Sequence, residues 1–179
     1  HLVLSTLHTN SAAETVTRLL DMGMDPFNFA DSLLAVLAQR LVRRLCPDCR
    51  APYEATDAEV EELLRDHQRP AAAVEGAASD DQVLADWQRR FANAQGRYTL
   101  YKPVGCGRCD QSGFRGRAGI HELMTVSRAL KGQIQSGARA EELLKTALGE
   151  GLHTLRQDGI EKVLAGVTTL DEVRGASNN

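Results

Sequence analysis

Four cysteines stand in two Cys-x-x-Cys pairs, Cys46-Pro47-Asp48-Cys49 and Cys106-Gly107-Arg108-Cys109, and none is left over. The two-residue spacer lets both sulfurs of a pair face one ion. Together the pairs supply four thiolates for a tetrahedral Zn²⁺, with Zn–S distances of about 2.3 Å. Gly105, Gly107 and Gly113 keep the backbone tight around the second pair, and Arg44, Arg50 and Arg108 are placed to offset a tetrathiolate's negative charge. Competing uses of such thiols are a redox dithiol, two disulfides or buried inert groups. A redox pair belongs at a helix start after a strand, whereas Cys46 is expected to follow a long helix. Disulfides need an oxidising compartment, and no secretory signal opens the chain. The spacing therefore favours a structural metal site, closed by Cys46, Cys49, Cys106 and Cys109 and without an open position for catalysis. The 56 residues between Cys49 and Cys106 exceed the roughly 15–20 of a compact zinc ribbon. An excursion must leave the site and return.

His8 is the second candidate. It lies in Ser5-Thr6-Leu7-His8-Thr9-Asn10, after an apolar run and before a helix start. Open α/β sheets bind ligands beyond the carboxyl ends of their strands, and helix N-termini favour phosphate. The plainer alternative is a histidine that merely closes a strand.

The elements that must hold these residues are expected as follows. Leu2–Leu7 is a short buried strand. Ser11 with Glu14 makes a capping box for a helix that Gly23 stops. Asp25-Pro26 opens a second helix running to about Leu45, with Phe29, Leu33, Leu34, Val36, Leu37, Leu41 and Leu45 on its apolar face and Arg40, Arg43 and Arg44 at its carbonyl end. Thr56 with Glu59 opens an acidic helix to about His67, whose Glu54, Asp57, Glu59, Glu61, Glu62 and Asp66 form one solvated face. Residues 70–79 are a surface loop, and a helix over 81–94 ends at Gly96. Strands follow at 97–104 and 118–126. Three helices follow at 128–136, 139–149 and 153–165, and Thr169 with Glu172 caps a last one. The stretch 54–97 is expected to be a peripheral insertion held down by Trp87. His121 and His153 are expected to be packed, and Arg115 and Arg117 to serve a turn.

Composition narrows the classes. The 179 residues are 42% hydrophobic and 25% charged, as in a globular protein, and the net charge is -3. That charge argues against a nucleic-acid binder working by phosphate neutralisation. The longest apolar run, Leu33–Ala38, is too short to cross a bilayer. No Met opens the chain, which suggests a piece of a longer protein.

Leu2-Val3-Leu4-Ser5-Thr6-Leu7-His8-Thr9-Asn10 closely resembles the His box of the secretion and pilus-assembly ATPases, the GspE/PulE/PilB family of type II secretion and type IV pili. The resemblance continues in Ala38-Gln39-Arg40-Leu41-Val42-Arg43-Arg44-Leu45-Cys46-Pro47-Asp48-Cys49 and in Val104 through Cys109. It resumes in Gly113 through Leu123, in Leu155-Arg156-Gln157-Asp158-Gly159 and in Ala165 through Val173. It skips about 54–97.

The resemblance implies a mostly helical α/β piece: the C-terminal part of a RecA-like P-loop ATPase core over 1–45, a tetracysteine zinc subdomain over 46–126, and a C-terminal helical region over 127–174. It further implies ATP and Mg²⁺ in the parent protein, a homo-hexamer, inner-membrane platform partners, and a cytoplasmic location at the bacterial inner membrane. It assigns His8 to the terminal phosphate. The chain departs from the pattern in having no Gly-x-x-x-x-Gly-Lys-Ser/Thr and no Walker B acid, so it is not expected to hydrolyse ATP alone. A zinc-ribbon interaction module without ATPase activity is the alternative, to be separated by the sequence upstream of His1.

Overall fold

A computed structural model describes residues 1–72 and 74–177. Ala73, in the expected 70–79 loop, and the terminal Asn178 and Asn179 lie outside the described residues. The described chain forms two compact units, one from 1–38, 74–77 and 122–153, the other from 39–72, 78–121 and 154–177.

The first unit is mostly helical. α1 (Ala12–Asp21) starts where Ser11 Oγ accepts the Glu14 N–H, and it ends at Gly23, whose φ of +93° is open to glycine at little cost. The expected box is displaced by one residue, because the Glu14 carboxylate takes the N–H of Asn10. α2 (Pro26–Ser32) has the predicted Asp25 cap and Pro at its first turn. α1 packs on α6 (Ala140–Gly149), and α2 on α5 (Arg128–Gln135). Ala12, Val16, Phe29, Leu130, Ile134 and Leu143 are buried there.

Two expectations fail in this region. Residues 1–9 form no strand, and Leu2, Val3 and Leu4 are exposed. A strand exists only beside a ladder partner, and the described strands pair only with one another. The second helix does not reach Leu45: it stops at Ser32, and Ala35–Leu45 is strand β1. Leu33, Leu34, Leu37, Leu41 and Leu45 fit a helical period, but Val36, Ala38 and Val42 fit a period of two, and the latter are buried while Leu37 and Leu41 are exposed. β-branched valines at the alternating positions favour the pleated choice. Arg40, Arg43 and Arg44 therefore sit on a strand, not at a helix end.

β1 pairs with β4 (Phe114–Thr125). Val126 donates to the Leu34 carbonyl at one end and Cys46 to the Gly113 carbonyl at the other, so the pair is antiparallel.

The second unit is built on β2 (Ala51–Glu54) and β3 (Thr99–Lys102), antiparallel with Ala51 opposite Lys102 and Glu54 opposite Thr99. Between them run α3 (Asp57–Gln68), with its Thr56–Glu59 capping box, and α4 (Asp80–Phe91). α7 (Leu155–Leu164) and α8 (Leu170–Ala176) complete the unit. One core gathers Ala55, Leu63, Val83, Trp87, Tyr98, Leu100, Ile160, Val163, Leu164 and Val173.

The excursion is thus not peripheral: α3 and α4 supply Leu63, Val83 and Trp87 to the same core as α7 and α8. Nor is its acidic face wholly solvated. Asp66 accepts from Arg156 at 3.0 Å and Arg174 at 2.7 Å, and Glu62 from Arg174 at 2.7 Å. Gly159 lets α7 meet α8, since a Cβ there would lie 2.5 Å from a Val173 methyl.

Candidate metal centre

Both Cys pairs lie in the second unit, each on a tight turn. The Cys46 carbonyl accepts the N–H groups of Cys49 and Arg50 at 3.3 and 2.9 Å, folding the first pair into a knuckle at the end of β1. The second knuckle is a single 3₁₀ turn, Gly107–Cys109, followed by Asp110 and Gln111 at φ of 50° and 61°. Gly105, at φ +107°, is required there, because a Cβ would stand 2.6 Å from the Gln111 carbonyl oxygen. Cys46 follows a strand rather than the expected long helix, yet it still fails the pattern of a redox pair, since a turn and β2 come next instead of a helix N-terminus.

The four sulfurs converge. Cys46 Sγ lies 4.0 Å from Cys106 Sγ, Cys49 Sγ 3.8 Å from Cys109 Sγ, and Cys106 Sγ 3.7 Å from Cys109 Sγ. All four are within 4.8 Å of one another. A tetrahedron with a metal–sulfur distance of about 2.3 Å has edges of about 3.8 Å, so the donor set fits a tetrathiolate ion. Disulfides are absent among the four.

Backbone dipoles favour thiolate. The N–H groups of Cys106 and Gly113 point at Cys109 Sγ from 3.2 and 3.3 Å. Burial works against the Cys109 thiolate, but these donors and the neighbouring thiols outweigh it and hold the group down to about 6. Burial pushes Cys49 the other way, up to about 12, despite the Gly105 N–H. The Asp48 carboxylate adds negative charge 4.0 Å from Cys46 Sγ. Arg108 and Arg115, both on the second knuckle's side of the sequence, answer it from 3.5 and 3.4 Å. Arg50, expected to serve the thiolates, instead lies over the Tyr101 ring at 4.3 Å and donates to the Gly166 carbonyl.

His8 is exposed and follows no strand. The α1 N-terminus beside it already holds an anion, since the buried Glu122 carboxylate accepts the Ala12 N–H at 2.9 Å. Glu122 escaped the sequence reading; its signal was a lone acid among the alternating apolar residues Ile120 and Met124. His121, expected to be packed, is exposed, with its N–H on Asp158 at 2.7 Å and its ring 3.7 Å away.

Fold and site define a mixed α/β protein with a four-cysteine centre of the metal-binding type. Residues 1–175 match the family model described as Type II/IV secretion system protein, and the chain belongs to that family. It is 44% identical over 173 residues to the Type II secretion system protein E of Dickeya dadantii, covering 97% of this chain and 29% of that protein. It is 41% identical over 175 residues to the Type IV pilus assembly ATPase PilB of Myxococcus xanthus, covering 98% and 27%. The Thermus thermophilus PilB is 40% identical over 173 residues, covering 97% and 17%. The chain thus spans less than a third of these relatives. No helix of the described residues is long and apolar enough to cross a membrane.

Proposed function

We propose that this chain is the C-terminal portion of a hexameric ATP-hydrolysing motor that powers type II protein secretion or type IV pilus assembly. Its membership of a family whose relatives are named as type II secretion and pilus assembly ATPases carries the reading. On this proposal residues 1–45 close a RecA-like core, 46–126 are the zinc subdomain and 127–174 a helical region. The parent protein works in the cytoplasm, against inner-membrane platform proteins. The P-loop Lys and Mg²⁺, which neutralise phosphate charge in such motors, come from outside this chain, and the chain alone hydrolyses no ATP.

Zinc is the ion proposed for Cys46, Cys49, Cys106 and Cys109. Bound there it supplies a cross-link between residues that are distant in sequence, and with four thiolates it has no catalytic position left. His8 is proposed to orient the terminal phosphate: a neutral imidazole donates one hydrogen bond and accepts another. The conjunction is tested by phosphate release from the longer protein carrying His8→Ala or Cys106→Ser. Slower release with His8→Ala and loss of bound zinc with Cys106→Ser are expected. Unchanged turnover together with unchanged metal content overturns the reading.

A further inference from the structure

One cleft in the second unit is unused by the metal centre. It encloses about 230 Å³ and lies over α3, α4 and the turn into β3. Its floor is apolar, made by Val60 and Leu64 of α3, Leu84 of α4, and the buried Tyr98. Its rim is acidic. Asp57 and Glu61 stand at the same stripe of α3 as Val60 and Leu64, at positions i, i+3, i+4 and i+7. Glu54 lies alongside, 3.4 Å from Arg97. Among the described residues that line the cleft Arg97 is the single cation, and it holds Asp57 only at 3.8 Å, with the Asp57 side chain 95% exposed. Two carboxylates, Asp57 and Glu61, therefore line the cleft with one guanidinium, which Glu54 and Asp57 pair only loosely.

The volume is below the roughly 300–1,000 Å³ of cofactor and drug-sized sites; it suits one or two side chains. An apolar floor under a rim with excess negative charge is complementary to a side chain that is aliphatic below and cationic above, or to an aliphatic residue beside a Lys or Arg. We infer that this cleft docks a short basic-apolar segment of a partner protein, seating an aliphatic side chain on Val60, Leu64 and Leu84 with its cation against Asp57 and Glu61. The site owes nothing to nucleotide or zinc, so it stands or falls independently of the motor reading.

The probe is a synthetic Lys-Leu-Leu-Lys peptide with blocked ends, titrated into the ¹⁵N-labelled chain. Amide shifts concentrated at Val60, Leu64, Leu84 and Arg97 are expected. They should weaken by roughly tenfold with Asp57→Asn plus Glu61→Gln, and in about 0.5 M sodium chloride. Both substitutions are on exposed carboxylates, and an unchanged thermal melt verifies the fold. Lys-Ser-Ser-Lys and Glu-Leu-Leu-Glu peptides should leave the cleft undisturbed. Equal shifts from either control, or shifts centred elsewhere, overturn the proposal. So do cleft shifts that grow with protein concentration before peptide is added, which would assign the cleft to a second copy of the chain.

Discussion

Glu172 of α8 takes three N–H groups of Arg43 on β1: the backbone N–H at 2.9 Å, Nε at 2.9 Å and Nη2 at 2.6 Å. The same guanidinium lies 4.2 Å over the Phe114 ring of β4. The pair ties the strand that leads into Cys46 to the last helix of the second unit. Glu172→Gln should expose the Arg43 amide, seen as faster hydrogen exchange at that position than in the wild type. The hydrogen bond from Arg43 holds the Glu172 carboxyl below its ordinary range, against burial. Its contribution is full above the ordinary glutamate pKa and fades as pH falls through the depressed value. Acidification through that value should therefore lower the protection factor of the Arg43 amide, its rate relative to the intrinsic rate at the same pH, in the wild type more than in the variant.

Asp66 is more enclosed, with its side chain and that of Arg156 each 13% exposed. The hydrogen bond from Arg174 leads, with Arg156 adding to it, in holding the Asp66 carboxyl below the aspartate range, against burial. Asp66→Asn should cost about 2 kcal/mol at neutral pH, because it leaves Arg156 enclosed without its counter-charge. Because the folded value is depressed, the stabilisation is present above the ordinary aspartate value of about 4 and is lost as pH falls through the depressed one. Urea midpoints of wild type and variant should converge on acidification. A gap that widens instead would contradict the ion-pair account.

Trp87 is 1% exposed and meets His67 edge-on with ring centroids 5.3 Å apart. Trp87→Ala should cost about 3–5 kcal/mol, the usual range for emptying an aromatic site in a core. Thermal melts by circular dichroism measure it. A loss below 1 kcal/mol, about the level of a surface change, would return the 54–97 segment to the periphery.

The metal centre predicts a stoichiometry as well as a stability. Purified under reducing conditions without chelator, the chain should carry close to one zinc, and removing it should lower the melting temperature, since binding energy at such a site is also folding energy. Gly105→Ala should weaken metal retention against a competing chelator, because its φ is left-handed and its Cβ would strike the Gln111 carbonyl. Negligible metal in the wild type would refute the zinc assignment.

His8→Ala in the longer protein should slow ATP turnover by roughly 10- to 1000-fold, about 1.4–4 kcal/mol of transition-state stabilisation. Its zinc content should be unchanged. Wild-type turnover would leave His8 without a role in hydrolysis.

What the sequence made legible was mostly local. Pro26, Gly23 and the Thr56–Glu59 box act within a few residues and sit where expected, whereas Gly96 does not end its helix: α4 stops at Phe91 and Gly96 serves the turn that follows. The two Cys pairs were equally readable, because a two-residue spacer constrains geometry by itself. β1 was misread because leucines at one period overlaid valines at another, and only burial separates the two. The Leu2–Leu7 expectation failed because a strand depends on a neighbour that its own residues do not encode. Asp48 was missed as a charge partner of Arg115 and Glu122 as the acceptor of the Ala12 N–H, since in each case the partner lies far away in sequence. The core role of α3 and α4 was hidden for a different reason: lack of a family motif says nothing about burial.

The interleaved construction of the second unit sets a schedule for biosynthesis. Leu63 and Val173 share one core although 110 positions separate them in the sequence. At translation speeds of roughly 5–20 residues per second, Leu63 emerges on the order of 5–20 seconds before the helix that will cover it. The knuckle at Cys46 and Cys49 likewise waits on the ribosome for Cys106 and Cys109. Until Cys109 has emerged the first two thiols are without their partners, and until α8 has been translated the core around Leu63 and Trp87 is incomplete.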